Sequence, residues 1–161
     1  METCWVPTLS GACIDVFIGI METAVSPGCA IFTHDFKGAA SRVSEKATAF
    51  GLRRDHVLVE ILTAFVDRSD KLEEQRHREW ARATLRAFDP TVLPGGYPNL
   101  LPADEDAHRV TKSYGHNGER LVKAKRRYDP DNVFCSAIPL PVGQSSGRAR
   151  RAATAPQEAV N

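Results

Sequence analysis

No two of the four cysteines, Cys4, Cys13, Cys29 and Cys135, form a C-x-x-C pair. Their spacing excludes the common zinc and dithiol arrangements. With no secretory signal in sight, the expectation is four reduced thiols, most of them small core residues. Net charge is equally scarce: 21 Lys and Arg stand against 20 Asp and Glu, leaving +1. Such a balance gives no global field to attract nucleic acid or an anionic membrane. Long apolar runs are missing as well. The run from Ala12 to Ile20 is interrupted by Asp15 and follows Glu2, where a signal peptide carries positive charge. It also falls short of the about 20 residues that span a bilayer. A cytoplasmic chain with no membrane or nucleic-acid partner is therefore expected. The five histidines are scattered without H-x-x-x-H or carboxylate spacing, no G-x-S-x-G elbow is present, and no internal repeat occurs. No metal site is expected.

What is present is an ordinary globular composition, 42% hydrophobic and 25% charged over 161 residues, enough for one sizeable core. Ile14, Phe17, Ile18 and Met21 recur at helical spacing behind Ser10, which predicts a helix over about 11–25. Cys29 to Phe36 reads as a strand, and a second extended piece is expected near Ala47. From His56 to Val66 both alternating series are largely apolar, so this strand is expected to be central and covered on both faces. Leu72 to Phe88 reads as a helix capped by Ser69 or Asp70, with Gln75, Trp80, Thr84, Leu85 and Phe88 on its less polar side. Asp89-Pro90 stops it.

Tyr97-Pro98-Asn99 and Pro102 make a rigid extended loop. Two helices follow, about 104–114 and 117–128, the second with an inner stripe of Leu121, Ala124 and Tyr128. Asp129-Pro130-Asp131-Asn132 turns the chain, and Tyr128 and Phe134 are expected to anchor it to the core. Beyond Pro141 the composition turns to Gly, Ser, Ala, Arg and Gln, which predicts a disordered tail over 142–161. The sum is an α+β fold: a small, mostly antiparallel sheet covered by helices, closing with a loop and two helices.

The residues from Gly95 to Pro139 resemble the C-terminal berberine-bridge-enzyme-like domain of FAD-linked oxidases of the vanillyl-alcohol-oxidase superfamily. The matching residues are Tyr97 and Asn99, Tyr114-Gly115 with Asn117, Arg120-Leu121, Lys125, and Tyr128-Asp129-Pro130 with Asn132 and Phe134. Thr48 to Gly51 with Arg53, the His56 to Phe65 strand and Trp80-Ala81-Arg82 are similar to the second half of the same family's substrate domain. The resemblance implies a partial substrate-binding domain over 1–90 and the berberine-like domain over 91–141. It implies FAD as cofactor and hydride transfer from an alcohol, sugar or amine carbon. The family's glycine-rich pyrophosphate loop has no counterpart here, so a fragment of a larger oxidase or a truncated gene product is expected, a separately encoded FAD-binding domain being the partner under the non-catalytic alternative.

By that resemblance Tyr97 is the catalytic candidate, and Asn99, Asn117 and Tyr114 are the cofactor-binding candidates. A phenol ordinarily has a pKa near 10, so a Tyr97 base needs a neighbouring charge or hydrogen bond. The plainer alternatives are a buried tyrosine with a satisfied hydroxyl, an Asx turn at Asn99 and a helix N-cap at Asn117. For the chain as a whole, the alternative is a non-catalytic remnant or interaction module. The run Lys123 to Arg127 reads as a solvated helix end rather than a nucleic-acid patch.

Overall fold

A computed structural model of the chain describes residues 1–65, 69–101, 105–134 and 140. The expectations for Cys135, for residues 102–104, for the end of the central strand at 66 and for the tail lie outside these residues. Three strands, β1 (Glu2–Val6), β2 (Cys29–Phe36) and β3 (His56–Thr63), form an antiparallel sheet in the order β1-β3-β2. Four helices accompany it: α1 (Gly11–Met21), α2 (Lys71–Ala87), α3 (Ala107–Lys112) and α4 (Gly118–Tyr128). The class is α+β, as expected.

Local chemistry accounts for most boundaries. The Ser10 side chain accepts the Cys13 N–H at 3.3 Å, and Asp70 accepts from Leu72 and Glu73, each relieving a donor that a helix start leaves unpaired. The same device at Asp106 starts α3 later than the sequence pattern predicts. At the other end Asp129 accepts from Val133 N–H at 2.7 Å and Phe134 N–H at 3.0 Å, with the Lys125 ammonium alongside. These donors, led by Lys125, hold its carboxyl below the usual range. Asn132 takes the left-handed conformation of that turn, φ 53°.

Period-2 alternation splits the sheet into two faces. Cys4, Val6, Val57, Val59, Ile61 and Cys29 point to one face, where Cys13 of α1, Trp80 and Ala81 of α2, and Phe88 complete the core. Each such aliphatic or aromatic side chain contributes about 1.5–3 kcal/mol when fully buried. Burial in this layer pushes the Cys4 thiol up to about 12. A polar clamp ties the layer together. His77 Nδ1 donates to the Glu73 carbonyl at 2.8 Å, so Nε2 accepts from Ser26 Oγ at 2.8 Å, joining the turn before β2 to α2.

Several expectations are corrected. β1 was not foreseen; it is fully buried and pairs Glu2 to Val6 with Ile61 to Val57. No strand forms near Ala47, where residues 37–55 run as a loop. On α2, Gln75 is exposed while His77 is buried, because the buried face follows His77, Trp80, Ala81 and Thr84. On α1 the inward residues are Cys13, Val16, Phe17 and Ile20; Ile14, Ile18 and Met21 face outward. Tyr128 and Phe134 do not anchor the chain end: they are 75% and 82% exposed, and Ala124 is exposed as well.

Candidate functional site

The second face of the sheet is only partly covered. At one end an aromatic group closes it: Trp5 meets His56 and Phe50 edge-on at 5.6 Å, and Phe36 stacks on His56 at 4.5 Å. Arg53 holds the overlying loop through Phe50 O, Ala40 O and Thr48 Oγ1, at 2.8–3.2 Å. Toward the other end Phe32, His34, Leu58, Glu60 and Leu62 share the face in cross-strand register and are exposed or half-buried. The expectation that β3 is covered on both faces therefore holds only for its His56 end.

Burial lowers the His56 pKa below its usual value. A histidine held neutral in the folded state favours folding fully above its unfolded pKa of about 6.5 and loses that contribution as pH falls through it. Thermal midpoints are therefore expected to drop between pH 7.5 and pH 5. His56→Phe, which keeps the stack on Phe36, is expected to flatten that drop; an unchanged slope would show that other groups carry it.

The margin of the open face beside β1 is built by the loop that carries Tyr97. Gly96 N–H donates to Ser113 Oγ at 2.9 Å, and the Arg109 guanidinium donates to the Thr3 carbonyl, tying loop and α3 to β1. A Cβ at Gly96 would lie 3.4 Å from Thr3 Oγ1, on the strand position that pairs with Glu60. Thr3 Oγ1 is buried and has no hydrogen-bond partner among the described residues. Within the loop, Asn99 Nδ2 donates to the Tyr97 phenol oxygen at 3.2 Å, so two predicted site residues meet. Tyr97 is half-buried and Asn99 exposed.

The other two predicted residues lie deeper. Tyr114 packs on Leu101 and Val110, and burial raises its pKa. Asn117 is buried; its Nδ2 donates to Glu45 O at 2.6 Å and Thr48 O at 3.1 Å, and Arg120 reaches its Oδ1 at 3.4 Å. Its side chain makes no cap bond to α4. In this arrangement the amide faces the 45–48 loop and is committed there. Asn117→Asp keeps the shape but sets an acceptor against two carbonyl oxygens. The expected cost is about 2–4 kcal/mol near neutral pH, easing in acid where a protonated carboxyl donates one bond. Melting curves at pH 7 and pH 4 check this, and native-like stability at both would refute the clamp.

Glu60 is the residue that sequence reasoning missed. It is one acid in an apolar strand, with its side chain 18% exposed, and His34 Nε2 lies 3.4 Å from its carboxylate. Only the strand order places it between Phe32 and Thr3 on the open face, with His34 on the diagonal. No cluster of three or more metal-ligating side chains occurs among the described residues. A separate cleft of about 760 Å³ between the 45–54 loop and α3 is lined by Glu45, Arg54, His108, Lys112, His116 and Glu119, with none of the four predicted residues among them.

The described residues thus build a helix-backed antiparallel sheet with a Tyr-x-Asn loop at the margin of its open face. Residues 96–141 match the family model described as berberine and berberine like. The chain is 32% identical over 126 residues to an uncharacterised FAD-linked oxidoreductase, YgaK, of Bacillus subtilis, covering 78% of this chain and 27% of that protein. Its structure superposes on the berberine bridge enzyme of Eschscholzia californica with a TM-score of 0.67 at 25% identity, over 87% of this chain and 32% of that one. It shares the fold of a berberine-bridge-enzyme-like protein of Physcomitrella patens, with a TM-score of 0.71 at 19% identity, over 89% and 30% of the two chains. Residues 96–141 thus carry a berberine and berberine-like domain, and the chain spans about a third or less of the length of these relatives. No helix among the described residues is long and apolar enough to cross a membrane.

The open face carries Leu58 and Leu62 beside the Glu60 carboxylate, apolar and polar groups of the kind a flat ring with polar edges takes, and the loop bearing Tyr97 and Asn99 borders it where Gly96 approaches the buried Thr3 hydroxyl. The sequence holds no glycine-rich loop of the kind that cradles a diphosphate.

Proposed function

We propose that this chain is the C-terminal portion of an FAD-dependent oxidoreductase, supplying the substrate side of the active site while the FAD-binding domain lies outside it. Residues 1–90 form part of the substrate domain and 91–141 the berberine-like domain. The observation that carries this reading is the Tyr97–Asn99 pair at the edge of an open sheet face that also bears Glu60. Bound FAD supplies the two-electron acceptor for a hydride from an alcohol, sugar or amine carbon. The substrate's O–H or N–H proton must leave as that hydride departs. Tyr97 takes it as the phenolate and is left as the neutral phenol, its oxygen oriented by the N–H that Asn99 donates. Glu60 lies on the same open face, with His34 Nε2 3.4 Å from its carboxylate. Leu58 and Leu62 exclude water from that side. Tyr114 and Asn117 act through the backbone, holding the loops on which the site stands.

The test begins with the chain alone. Titrated into FAD, it is expected to leave the fluorescence nearly unchanged into the tens of micromolar, because no diphosphate cradle accompanies the ring platform. Stoichiometric binding at micromolar concentration would overturn the division of labour. A second reading, a non-catalytic module that pairs with a separate FAD domain, is favoured by the exposed apolar flank of α1. It is separated from the first by turnover: a reconstituted flavin-containing complex oxidises alcohols or amines under the first reading and none under the second.

A further inference from the structure

The contacts of the motif residues leave the height of Tyr97 over the sheet unset. Tyr97 and Asn99 bond to each other, Tyr114 packs on Leu101 and Val110, and Asn117 faces the 45–48 loop. None of these contacts reaches β1. Two other links do. Leu93 N–H donates to Trp5 O at 2.7 Å, four residues before Tyr97. The second link is Arg109, a residue outside the motif.

The Arg109 guanidinium works as a fork: Nη1 donates to the Glu105 carboxylate and Nη2 to the Thr3 carbonyl. The Arg109 carbonyl accepts from the Ser113 hydroxyl at 2.8 Å, and the oxygen of that hydroxyl accepts the Gly96 N–H at 2.9 Å. One residue thus reaches β1 with its side chain and the neighbour of Tyr97 with its backbone. Gly96 also lies against the guanidinium itself, since a Cβ there would stand 3.0 Å from Nη2. Thr3, whose carbonyl is held, is the strand position paired with Glu60.

The surrounding charges keep the fork in place. The Arg109 and Glu105 side chains are only 20% and 13% exposed, and Glu105 Oε1 is itself fixed by the Asp106 N–H at 3.0 Å. Glu2 is buried close by: burial raises its pKa, the Glu105 carboxylate adds to the rise, and Arg109 is among the cations that oppose it. Two carboxylates therefore share this guanidinium, and removing it would leave both without that compensation. A lysine lacks the planar fork that meets a carboxylate and a carbonyl in fixed directions at once.

We propose that Arg109 is a positioning residue of the active site, fixing the loop that bears Tyr97 in register with the Thr3–Glu60 pair of the sheet. It acts through Gly96 and Thr3 rather than on the reacting atoms. The proposal rests on the functional reading above and adds to it the residue that aligns the berberine-like segment with the sheet.

The experiment compares the full chain with Arg109→Lys and Arg109→Gln, alone and in the flavin-containing assembly. In the isolated chain, amide exchange at Gly96 is expected to speed up about tenfold or more in both variants, while Val59 in β3 and Ala81 in α2 exchange as before. In the assembly both variants are expected to lose about 10–10²-fold in kcat, with KM within about threefold of its original value. The pH limb that reports the base stays in place, because Tyr97 is still present. Glu105→Gln, which weakens one arm of the fork, is expected to move both readouts in the same direction by less, and it reads the proposal where Arg109→Gln does not fold. Unchanged exchange at Gly96, recovery of both readouts by lysine, or equal acceleration at Val59 and Ala81 would overturn the proposal. So would a full rate in the Arg109 variants when Tyr97→Phe lowers it. Faster exchange at Gly96 with a rate that even Tyr97→Phe leaves unchanged would uphold the anchor and overturn the functional reading instead.

Discussion

Gly95→Ala is expected to lower the stability of the chain by about 2–5 kcal/mol, the sum of a backbone and a steric cost. Gly95 has a φ of +91°, and a Cβ there would lie 2.7 Å from both the N and the Cα of Ser113 and 2.9 Å from the Lys112 carbonyl carbon. All three are backbone atoms at the C-terminal end of α3, so no rotamer change relieves the contact. The adjacent Gly96–Ser113 hydrogen bond would be displaced with them, and the Tyr97 loop would lift from β1. Gly38→Ala is the control. Its φ of +69° carries the conformational cost alone, since nothing lies within 4 Å of the added methyl group. It is expected to lose only about 1–2 kcal/mol. Urea unfolding of both variants separates the terms, and equal losses would mean that the approach of Gly95 to α3 contributes nothing.

The second large effect is on chemistry. In the flavin-containing assembly, Tyr97→Phe is expected to lower kcat/KM by about 10²–10⁴-fold, the range typical of removing a positioned proton acceptor. Stability should change by less than about 1 kcal/mol, because among the described residues the hydrogen bond lost is the solvent-exposed one from Asn99. A merely structural tyrosine would give the reverse pattern, little loss of rate and a measurable loss of stability. The pH profile adds a second readout. If Tyr97 takes the proton, its removal changes the limb of the kcat/KM profile that reports the base, whereas Asn99→Ala lowers the rate and leaves that limb in place. A loss under tenfold with an unaltered profile would sink the assignment.

The resemblance carried by Tyr97, Asn99, Tyr114, Asn117 and the Tyr128 to Phe134 block was legible because it is a matter of residue types in order, and the family-model match covers the same stretch. Where those side chains point was not. Asn117 stands where an amide could meet a cofactor, yet it turns inward because Gly51 lets Tyr114 and the 45–51 loop come close: a Cβ at Gly51 would be 2.5 Å from Tyr114 O. Tyr128 and Phe134 look like anchors by their size, but the end of α4 presents the first to solvent and the turn after it the second. Glu60 could not be singled out from an apolar strand, since its significance comes from Thr3, some 57 residues away in sequence and paired across the ladder.

What the sequence by itself determined is what acts over a few residues. The Ser10, Asp70 and Asp106 caps, the bounds of β2 and the turn held by Asp129 follow from hydrogen bonds and conformational preferences spanning no more than five positions. Only the tertiary structure decided which strands are neighbours and which face stays open. β1 is too short to announce itself and becomes a strand because β3 offers it a ladder and Phe50 and His56 close over Trp5. The open face with Glu60 exists for the same reason. It depends on pairings between distant segments, whose free energy comes from surfaces that no local pattern contains.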